Sequence, residues 1–235
     1  MNHVIASSSL PRTILDALIC EGYTPIVMPP YSRLQAGVAA HPDMLLFFID
    51  GICLTTREYF ELAHECFDEI ATLGFKITPT DELPSSEYPN DVLFNSLLLK
   101  SGIYGYERGM SHGIKSLAYE RGINIVSVRQ GYTKCSALKV DENAIITADR
   151  GIYEVVKSNG GDALLISAGG IRLDGYDTGF IGGCGGYFKG KVYFCGDIFS
   201  HPDANKIIEF CKKHEKECVR LGNSTLFDAG SLFFI

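Results

Sequence analysis

Residues 43–56 read DMLLFFIDGICLTT, in which two short apolar runs flank an Asp50-Gly51 pair. An Asp-Gly pair between apolar runs is typical of a β-hairpin, because both central residues of its turn adopt positive φ. Four further segments share this layout: DVLFNSLLL from Asp91, CSALKVDENAIIT from Cys135, GFIGGCGGYFKGKVYF from Gly179 and TLFDAGSLFFI from Thr225. The predicted turns lie at 50–51, 95–96, 141–143, 185–190 and 228–231. Successive segments begin 48, 44, 44 and 46 residues apart, which indicates an internal repeat.

A helix-like stretch and then a short apolar strand come before each hairpin. The predicted helices are 11–20, 56–72, 111–121, 151–158 and 202–217. The predicted strands are 25–28, 75–78, 123–128, 163–166 and 217–221. The sequence therefore predicts one domain of five helix–strand–hairpin repeats, with approximate bounds 1–55, 56–100, 101–148, 149–200 and 201–235.

This α/β pattern has two interpretations. A unit of ~45 residues cannot bury its own apolar face, so neighbouring units must share a core, and five units closed into a ring leave no exposed terminal repeat. The alternative is an open, doubly wound α/β sheet, which pairs one strand with each helix. The ring is favoured because each helix here accompanies three strands.

Composition limits the classes of protein to consider. The 235 residues are 46% hydrophobic and 21% charged, as in a globular protein, and the net charge of −7 makes nucleic acid an unlikely partner. The longest purely apolar stretch is 44–49, far short of the ~20 residues that span a bilayer. The N-terminus lacks a basic segment followed by an apolar one. We therefore expect a cytoplasmic protein that has no membrane partner.

The eight cysteines include no C-x-x-C pair, and without a secretory signal they are expected to be reduced. The nearest approach to a metal motif, residues 211–218, is more simply a helix edge, so we predict no metal site and no cofactor. The glycine-rich segment 179–186 matches no phosphate-binding motif, and its glycines are expected to allow close backbone approach.

The five-unit organisation resembles the pentein fold, the five-fold pseudosymmetric α/β propeller of guanidine-modifying enzymes. The hairpins and the junctions AHPD at 40–43 and YTKC at 132–135 carry the resemblance. Arginine deiminases, dimethylarginine hydrolases, agmatine deiminases and amidinotransferases share that fold. The resemblance implies a hydrolase or transferase that attacks a small guanidino or amidine compound with a cysteine. A translation anti-association factor of similar length has the same fold, so the alternative is a non-catalytic module that binds a protein or ribonucleoprotein.

The enzymes resembled place a nucleophilic cysteine in the last module and a histidine about two modules earlier. Here the last module, 222–235, contains no cysteine, and Cys135 stands where the histidine would be sought. The chain is therefore similar to a bacterial branch of the superfamily that lacks the usual C-terminal catalytic cysteine.

In a five-fold ring the junctions before the hairpins line one cavity, so a constellation moved by two modules keeps its geometry. We therefore hypothesise that Cys135 is a nucleophile, that His41 is its acid/base partner and that Asp43 orients His41. The alternative is that residues 41–43 form an ordinary turn into a strand and that Cys135 is an inert thiol.

Five further residues are candidates for substrate binding. Asp91 and Asp177 would hold a cationic group, and Tyr132 would stack on it, although Tyr132 fits core filling equally well. Arg129 would bind a substrate carboxylate or pair with the junction aspartates. Cys184, flanked by two glycines on each side, is sterically open in the sequence and is the second candidate nucleophile.

Overall fold

A computed structural model describes residues 2–235, in which 17 strands and eight α-helices alternate along the chain. Strands β1 to β17 span Asn2–Ser7, Tyr23–Met28, Phe47–Ile49, Ile52–Thr56, Lys76–Thr80, Leu97–Leu99, Gly102–Gly105, Ile125–Ser127, Ala137–Asp141, Ala144–Thr147, Asp162–Leu165, Ile171–Arg172, Gly185–Phe188, Lys191–Phe194, Glu217–Arg220, Leu226–Phe227 and Phe233–Phe234. Helices α1 to α8 span Arg12–Cys20, Pro42–Leu45, Arg57–Leu62, His64–Thr72, His112–Arg121, Thr133–Ser136, Arg150–Ser158 and Ala204–Lys213.

Four three-stranded sheets repeat one order of strands: β3-β4-β5, β6-β7-β8, β9-β10-β11 and β13-β14-β15. In each sheet the first two strands are antiparallel, and the second and third are parallel. A parallel pair needs a crossover connection, and here helices supply it: α3 with α4, α5, α7 and α8. The turns predicted at 50–51 and within 141–143 are confirmed by the strand pairing.

The fifth sheet joins the two ends of the described chain, in the order β17-β1-β2. Strand β17 is antiparallel to β1, while β1 is parallel to β2 across α1. The hairpin predicted within 225–235 is therefore wrong, because β16 pairs with β12 and β17 with β1. The physical reason lies between the two strands, where the N–H groups of Ala229 and Ser231 both donate to Gly183 O at 3.0 Å.

Two further predictions of local structure are corrected. The turn expected at 95–96 lies instead at 100–101, between β6 and β7, because the buried Asn95 side chain bonds to neighbouring segments rather than to its own turn. The helix predicted at 56–72 is two helices that meet at Ala63. Helices α5 and α8 have 10 residues each. No helix within residues 2–235 is long and apolar enough to cross a membrane.

The buried core consists of five clusters, and each packs one three-stranded sheet against the next. In one cluster, for example, Phe47 and Leu54 lie with Ile103 of the following sheet. Another packs Val4 against Tyr193, and so joins the sheet of β1 to the sheet of β14. The alternative of one open, doubly wound sheet is wrong, since the described strands are divided among six small sheets. The fold is mixed α/β.

Candidate functional site

Five short segments, each leading into the first strand of a three-stranded sheet, carry the candidate site. They are residues 41–46, 91–96, 132–136, 180–184 and 228–232. We call His41, Asp43, Asn95, Cys135 and Asp228 the central cluster, and all five are buried. The short helices α2 and α6 position two of these segments, because each turns the chain just before its strand begins.

Asn95 connects three of the segments through its side-chain amide. Its Nδ2 donates to Cys135 Sγ at 2.9 Å and to Asp43 O at 3.2 Å. Its Oδ1 accepts the N–H groups of Lys134 at 2.8 Å and Cys135 at 3.2 Å. Since buried donors and acceptors need partners, this one amide fixes the thiol relative to the carboxylate segment.

A chain of polar contacts runs from Lys134 to Asp43. The Lys134 ammonium donates to Ser231 Oγ at 2.8 Å, and that hydroxyl lies 2.7 Å from Asp43 Oδ2, to which it donates. Burial lowers the pKa of Lys134, and the negative charge of Asp43 opposes that effect. Ser231 adopts a φ of 71°, a conformation that a residue with a side chain holds only when its surroundings enforce it.

Asp228 lies beside His41 at the opposite side of the cluster. Its Oδ1 is 3.9 Å from His41 Nδ1, while its two oxygens accept the N–H groups of Phe180 at 2.8 Å and Gly230 at 3.1 Å. Burial raises the pKa of Asp228 to about 6, helped by the charge of Asp43 and opposed by His41. The Asp228 carboxyl therefore changes protonation close to physiological pH.

Several buried polar atoms of the cluster have no hydrogen-bond partner within residues 2–235. They are both ring nitrogens of His41 and Oδ1 of Asp43. A buried polar atom without a partner costs free energy. Asp43 Oδ1 and the unprotonated ring nitrogen of His41 are therefore free to accept hydrogen bonds from a ligand that brings N–H groups.

The Cys135 thiol is 3% exposed and lies among these carboxylates. Burial, together with the charges of Asp43 and Asp228, raises its pKa well above the usual value, and the Asn95 amide only partly offsets this. The free protein therefore holds Cys135 as a neutral thiol.

A second acidic position borders the cluster at Asp91. Its Oδ2 accepts the Tyr132 hydroxyl at 2.5 Å, while its buried Oδ1 has no partner in the described chain. Burial raises the pKa of Asp91. The Tyr132 ring stacks on Phe180 at 6.2 Å and lies 5.9 Å from the ring of Tyr88, so the tyrosine that donates to this carboxylate belongs to a group of three aromatic rings.

Two predicted binding residues are not brought to the cluster. Asp177 is exposed in the loop between β12 and β13, next to Tyr176, whose hydroxyl bonds to Gln35. Arg129 is also exposed, and it lines a surface cavity at the start of α7 together with Asp149. The structure thus divides these candidates: Asp91 bonds to Tyr132, which lies close to Cys135, whereas Asp177 and Arg129 lie on the surface.

Cys184 is buried, which corrects the expectation of an open thiol. The space left by its flanking glycines is filled by neighbouring backbone, not by solvent. A Cβ on Gly185, for example, would lie 1.8 Å from Tyr193 O. The Cys184 thiol donates to Phe180 O at 3.2 Å, and burial raises its pKa well above the usual value. The same segment packs on the cluster, since a Cβ on Gly183 would lie 1.8 Å from Asp228 Oδ1.

Three residues that the sequence reasoning did not select complete the site: Asn95, Asp228 and Ser231. Each lies in a predicted hairpin turn. The signal that could have identified these residues is their position just before the first strand of a three-stranded sheet, which is also the position of Asp43 and Cys135. Within the part of the chain that the structure describes, no group of three or more His, Cys, Asp or Glu residues is placed to hold a metal ion.

Solved structures of similar fold include three guanidino-related enzymes. Dimethylarginine dimethylaminohydrolase from Pseudomonas aeruginosa, complexed with citrulline, aligns with a TM-score of 0.55 at 10% identity, over 93% of this chain and 91% of that one. Agmatine deiminase from C. jejuni aligns with a TM-score of 0.55 at 10% identity, over 94% and 87%. SxtG, an amidinotransferase from Microseira wollei in the saxitoxin biosynthetic pathway, aligns with a TM-score of 0.50 at 12% identity, over 93% and 87%.

These alignments show a fold shared with members of the pentein superfamily, and identities this low establish the fold alone. No curated protein matches the chain. The model of one protein family matches residues 5–233, which is nearly the whole sequence. The chain therefore belongs to the family of unknown function DUF6873.

Proposed function

We propose that this protein binds a small guanidino or amidine compound at the central cluster. With Cys135 as nucleophile, it breaks one C–N bond of that compound in a hydrolysis or a group transfer. The observation that carries the proposal is the pair of buried carboxylate oxygens, Asp43 Oδ1 and Asp91 Oδ1, that lack hydrogen-bond donors near a thiol. A planar cation rich in N–H groups supplies both the charge and the donors that these oxygens lack.

The charge balance favours a cationic ligand. Two buried carboxyl groups, Asp43 and Asp228, lie near one ammonium, that of Lys134. Asp91 is a third buried carboxyl group, and the side chain that bonds to it is the uncharged hydroxyl of Tyr132. Burial raises the pKa of both Asp91 and Asp228, and the charge of Asp43 raises that of Asp228 further. A bound guanidinium would lower both pKa values, because it favours the ionised form of each acid. The tyrosine and phenylalanine rings next to Asp91 offer faces on which a planar cation stacks.

The same cation would activate the thiol. Burial and, after it, the charges of Asp43 and Asp228 hold the pKa of Cys135 high in the free protein, and a guanidinium between the two carboxylates would offset the part that is due to their charges. His41 takes the thiol proton, the thiolate attacks the central carbon of the substrate, a C–S bond forms, and the C–N bond to the departing amine breaks as His41 gives that proton to the amine. The incoming water or amine then loses a proton to His41 and bonds to the same carbon, the C–S bond breaks, and the sulfur takes the proton back as the free thiol.

The ring of five repeats, with approximate bounds 1–55, 56–100, 101–148, 149–200 and 201–235, is part of the proposal. In this arrangement the five segments that carry the site surround one axis. Its support is the packing of each sheet against the next, including the sheets of β1 and β14. The first strands of all five sheets also line one cavity of about 200 Å³, to which they contribute Phe48, Leu98, Lys139, Tyr187 and Phe233.

The burial of Cys135 supports a second candidate function, a non-catalytic pentein-fold module that binds a protein or ribonucleoprotein partner. In that case the neutral, enclosed thiol and its hydrogen bond to Asn95 serve only to hold two segments together.

Turnover of a panel of guanidino and amidine compounds distinguishes the two functions. Release of amine or ammonia is measured for the wild type, for Cys135→Ala and for Cys53→Ala, which removes a second buried thiol of the same core cluster, on β4. We expect turnover in the wild type and in Cys53→Ala and none in Cys135→Ala. Equal turnover by both variants rejects Cys135 as nucleophile, and absence of turnover and of binding across the panel favours the non-catalytic module.

A further inference from the structure

A separate cavity of about 140 Å³ lies beside the central cluster, and we call it the side cavity. Apolar side chains make up most of its wall, among them Ile166, Ile171 and Phe180. Its volume is well above the ~10–15 Å³ that a single water requires. The exposed residues Ser167 and Ala168 form its rim, so it is open to solvent.

The side cavity and the central cluster share two stretches of chain. Ser136, which lines the cavity, directly follows Cys135. Phe180 lines the cavity with its side chain, while its N–H donates to Asp228 and its ring stacks on Tyr132. The side cavity is therefore close enough to the thiol to be considered as a site for the tail of a ligand whose head lies there.

The polar groups of the side cavity restrict the tail that it accepts. Ser136 is 3% exposed, and its Oγ has no hydrogen-bond partner within residues 2–235. The one charged group on the wall is Asp149, and both of its oxygens already accept, from Ile152 N at 2.8 Å and from Gln130 Nε2 at 3.3 Å. No lysine or arginine of the described chain lines the cavity. A carboxylate in the cavity would lose its hydration and find no cationic partner, which is strongly unfavourable.

We propose that the side cavity is a binding site for an uncharged alkyl chain, so that the ligand is a guanidino or amidine compound with an apolar tail rather than an amino acid. This inference rests on the proposed function of the central cluster. The Ser136 hydroxyl can donate a hydrogen bond to a hydroxyl or ether oxygen of the tail. The apolar wall then favours longer alkyl chains over guanidinium itself.

Isothermal titration of guanidinium, butylguanidine and arginine against the wild-type protein tests this site. Each methylene buried in an apolar wall tightens binding roughly fourfold, so butylguanidine is expected to bind at least ~10-fold more tightly than guanidinium. Arginine, with its charged end, is expected to bind no more tightly than guanidinium. Equal affinities of guanidinium and butylguanidine, or tighter binding of arginine than of butylguanidine, overturn the proposal.

Two variants locate the effect. Ala148→Phe fills the side cavity from its half-buried wall, and Ala168→Phe blocks the exposed rim, where folding is not at risk. Both are expected to reduce the preference for butylguanidine to less than ~3-fold while guanidinium affinity stays constant. Ala71→Phe, on an exposed position of α4, is the control and keeps the full preference.

The outcomes separate the two proposals. If guanidinium binds but neither cavity variant alters the preference for a chain, the side cavity is rejected and the central cluster stands. If neither guanidinium nor butylguanidine binds the wild type, the function proposed for the central cluster fails, and the side cavity fails with it.

Discussion

The carboxyl of Asp228 predicts an unusual dependence of stability on pH. Burial raises its pKa from 3.8 to about 6 in the folded protein, so between these values the native state holds a proton that the unfolded state releases. Stability contributed by this group therefore falls as pH rises from 4 to 6, the reverse of the behaviour of a salt-bridged aspartate. About two pKa units at ~1.4 kcal/mol each give a total loss of about 3 kcal/mol, of which about 2 kcal/mol falls between pH 4 and pH 7.

Replacement of Asp228 by Asn isolates this effect. The amide cannot ionise, so the pH-dependent part of the stability is removed. One of the two N–H groups that the carboxylate accepts would face the amide NH2 instead, and this should lower the unfolding free energy by about 1–3 kcal/mol at every pH. The informative quantity is the difference in unfolding free energy between wild type and Asp228→Asn, measured by urea denaturation from pH 4 to pH 7.

The wild type should lose about 2 kcal/mol relative to Asp228→Asn over that range. The exposed Asp177, changed to Asn, serves as the control, and its difference from wild type should stay within ~0.5 kcal/mol at each pH. A flat difference for Asp228→Asn would refute the reasoning, because it would mean that the carboxyl is neither desolvated nor close to a second charge.

Three further substitutions test the contacts of the site. Asn95→Ala removes the partner of two buried N–H groups and one carbonyl, so urea denaturation should show a loss of about 2–5 kcal/mol. Gly183→Ala places a methyl group where Asp228 Oδ1 lies, and overpacking of this kind should lower the unfolding free energy by about 1–3 kcal/mol. Tyr132→Phe leaves the Asp91 carboxylate without its hydroxyl donor, so the destabilisation should be about 1–3 kcal/mol at pH 7 and smaller at pH 4, where the raised pKa of Asp91 leaves a larger fraction of that acid protonated.

Matched outcomes would contradict these predictions. Gly222→Ala has open space around the new methyl group and should be nearly neutral, so an equal effect of Gly183→Ala would mean that close packing against Asp228 is not the cause. A loss below ~0.5 kcal/mol for Asn95→Ala would show that its partners find other bonds. A cost of Tyr132→Phe that is equal at both pH values would show that the charge of Asp91 plays no part.

Local sequence patterns predicted the elements of the fold because each obeys a short-range rule. The hairpin turn at 50–51 follows from an Asp-Gly pair, and the left-handed cap Gly122 ends α5 where the sequence placed a helix end. The last hairpin was not predictable in this way. Its strand β17 pairs with β1 at the other end of the chain, and no rule based on neighbouring residues detects a partner so distant in sequence.

Only part of the candidate site was predicted, again because local patterns do not detect contacts between distant segments. The repeat spacing brought His41, Asp43 and Cys135 together as candidates, and the structure places all three in one buried cluster. Asn95 and Asp228 were missed because Asn and Asp are common turn residues, and their burial depends on contacts between segments 40 or more residues apart. Exposure of Asp177 and Arg129 likewise depends on how whole loops pack, which local patterns do not determine.

Labelling of Cys135 by a cationic and a neutral reagent of the same shape tests the central claim most directly. Chloroacetamidine carries a planar amidinium, and chloroacetamide is its neutral counterpart; peptide mass mapping locates the modified thiol in each case. Since a charge-assisted hydrogen bond to a buried carboxylate contributes about 1.5–3 kcal/mol, the amidine should modify Cys135 at least ~10-fold faster than the amide, and Asp43→Asn should abolish that preference. Equal rates for the two reagents, or a preference that persists in Asp43→Asn, would contradict the assignment of this cluster as a site for guanidino and amidine cations.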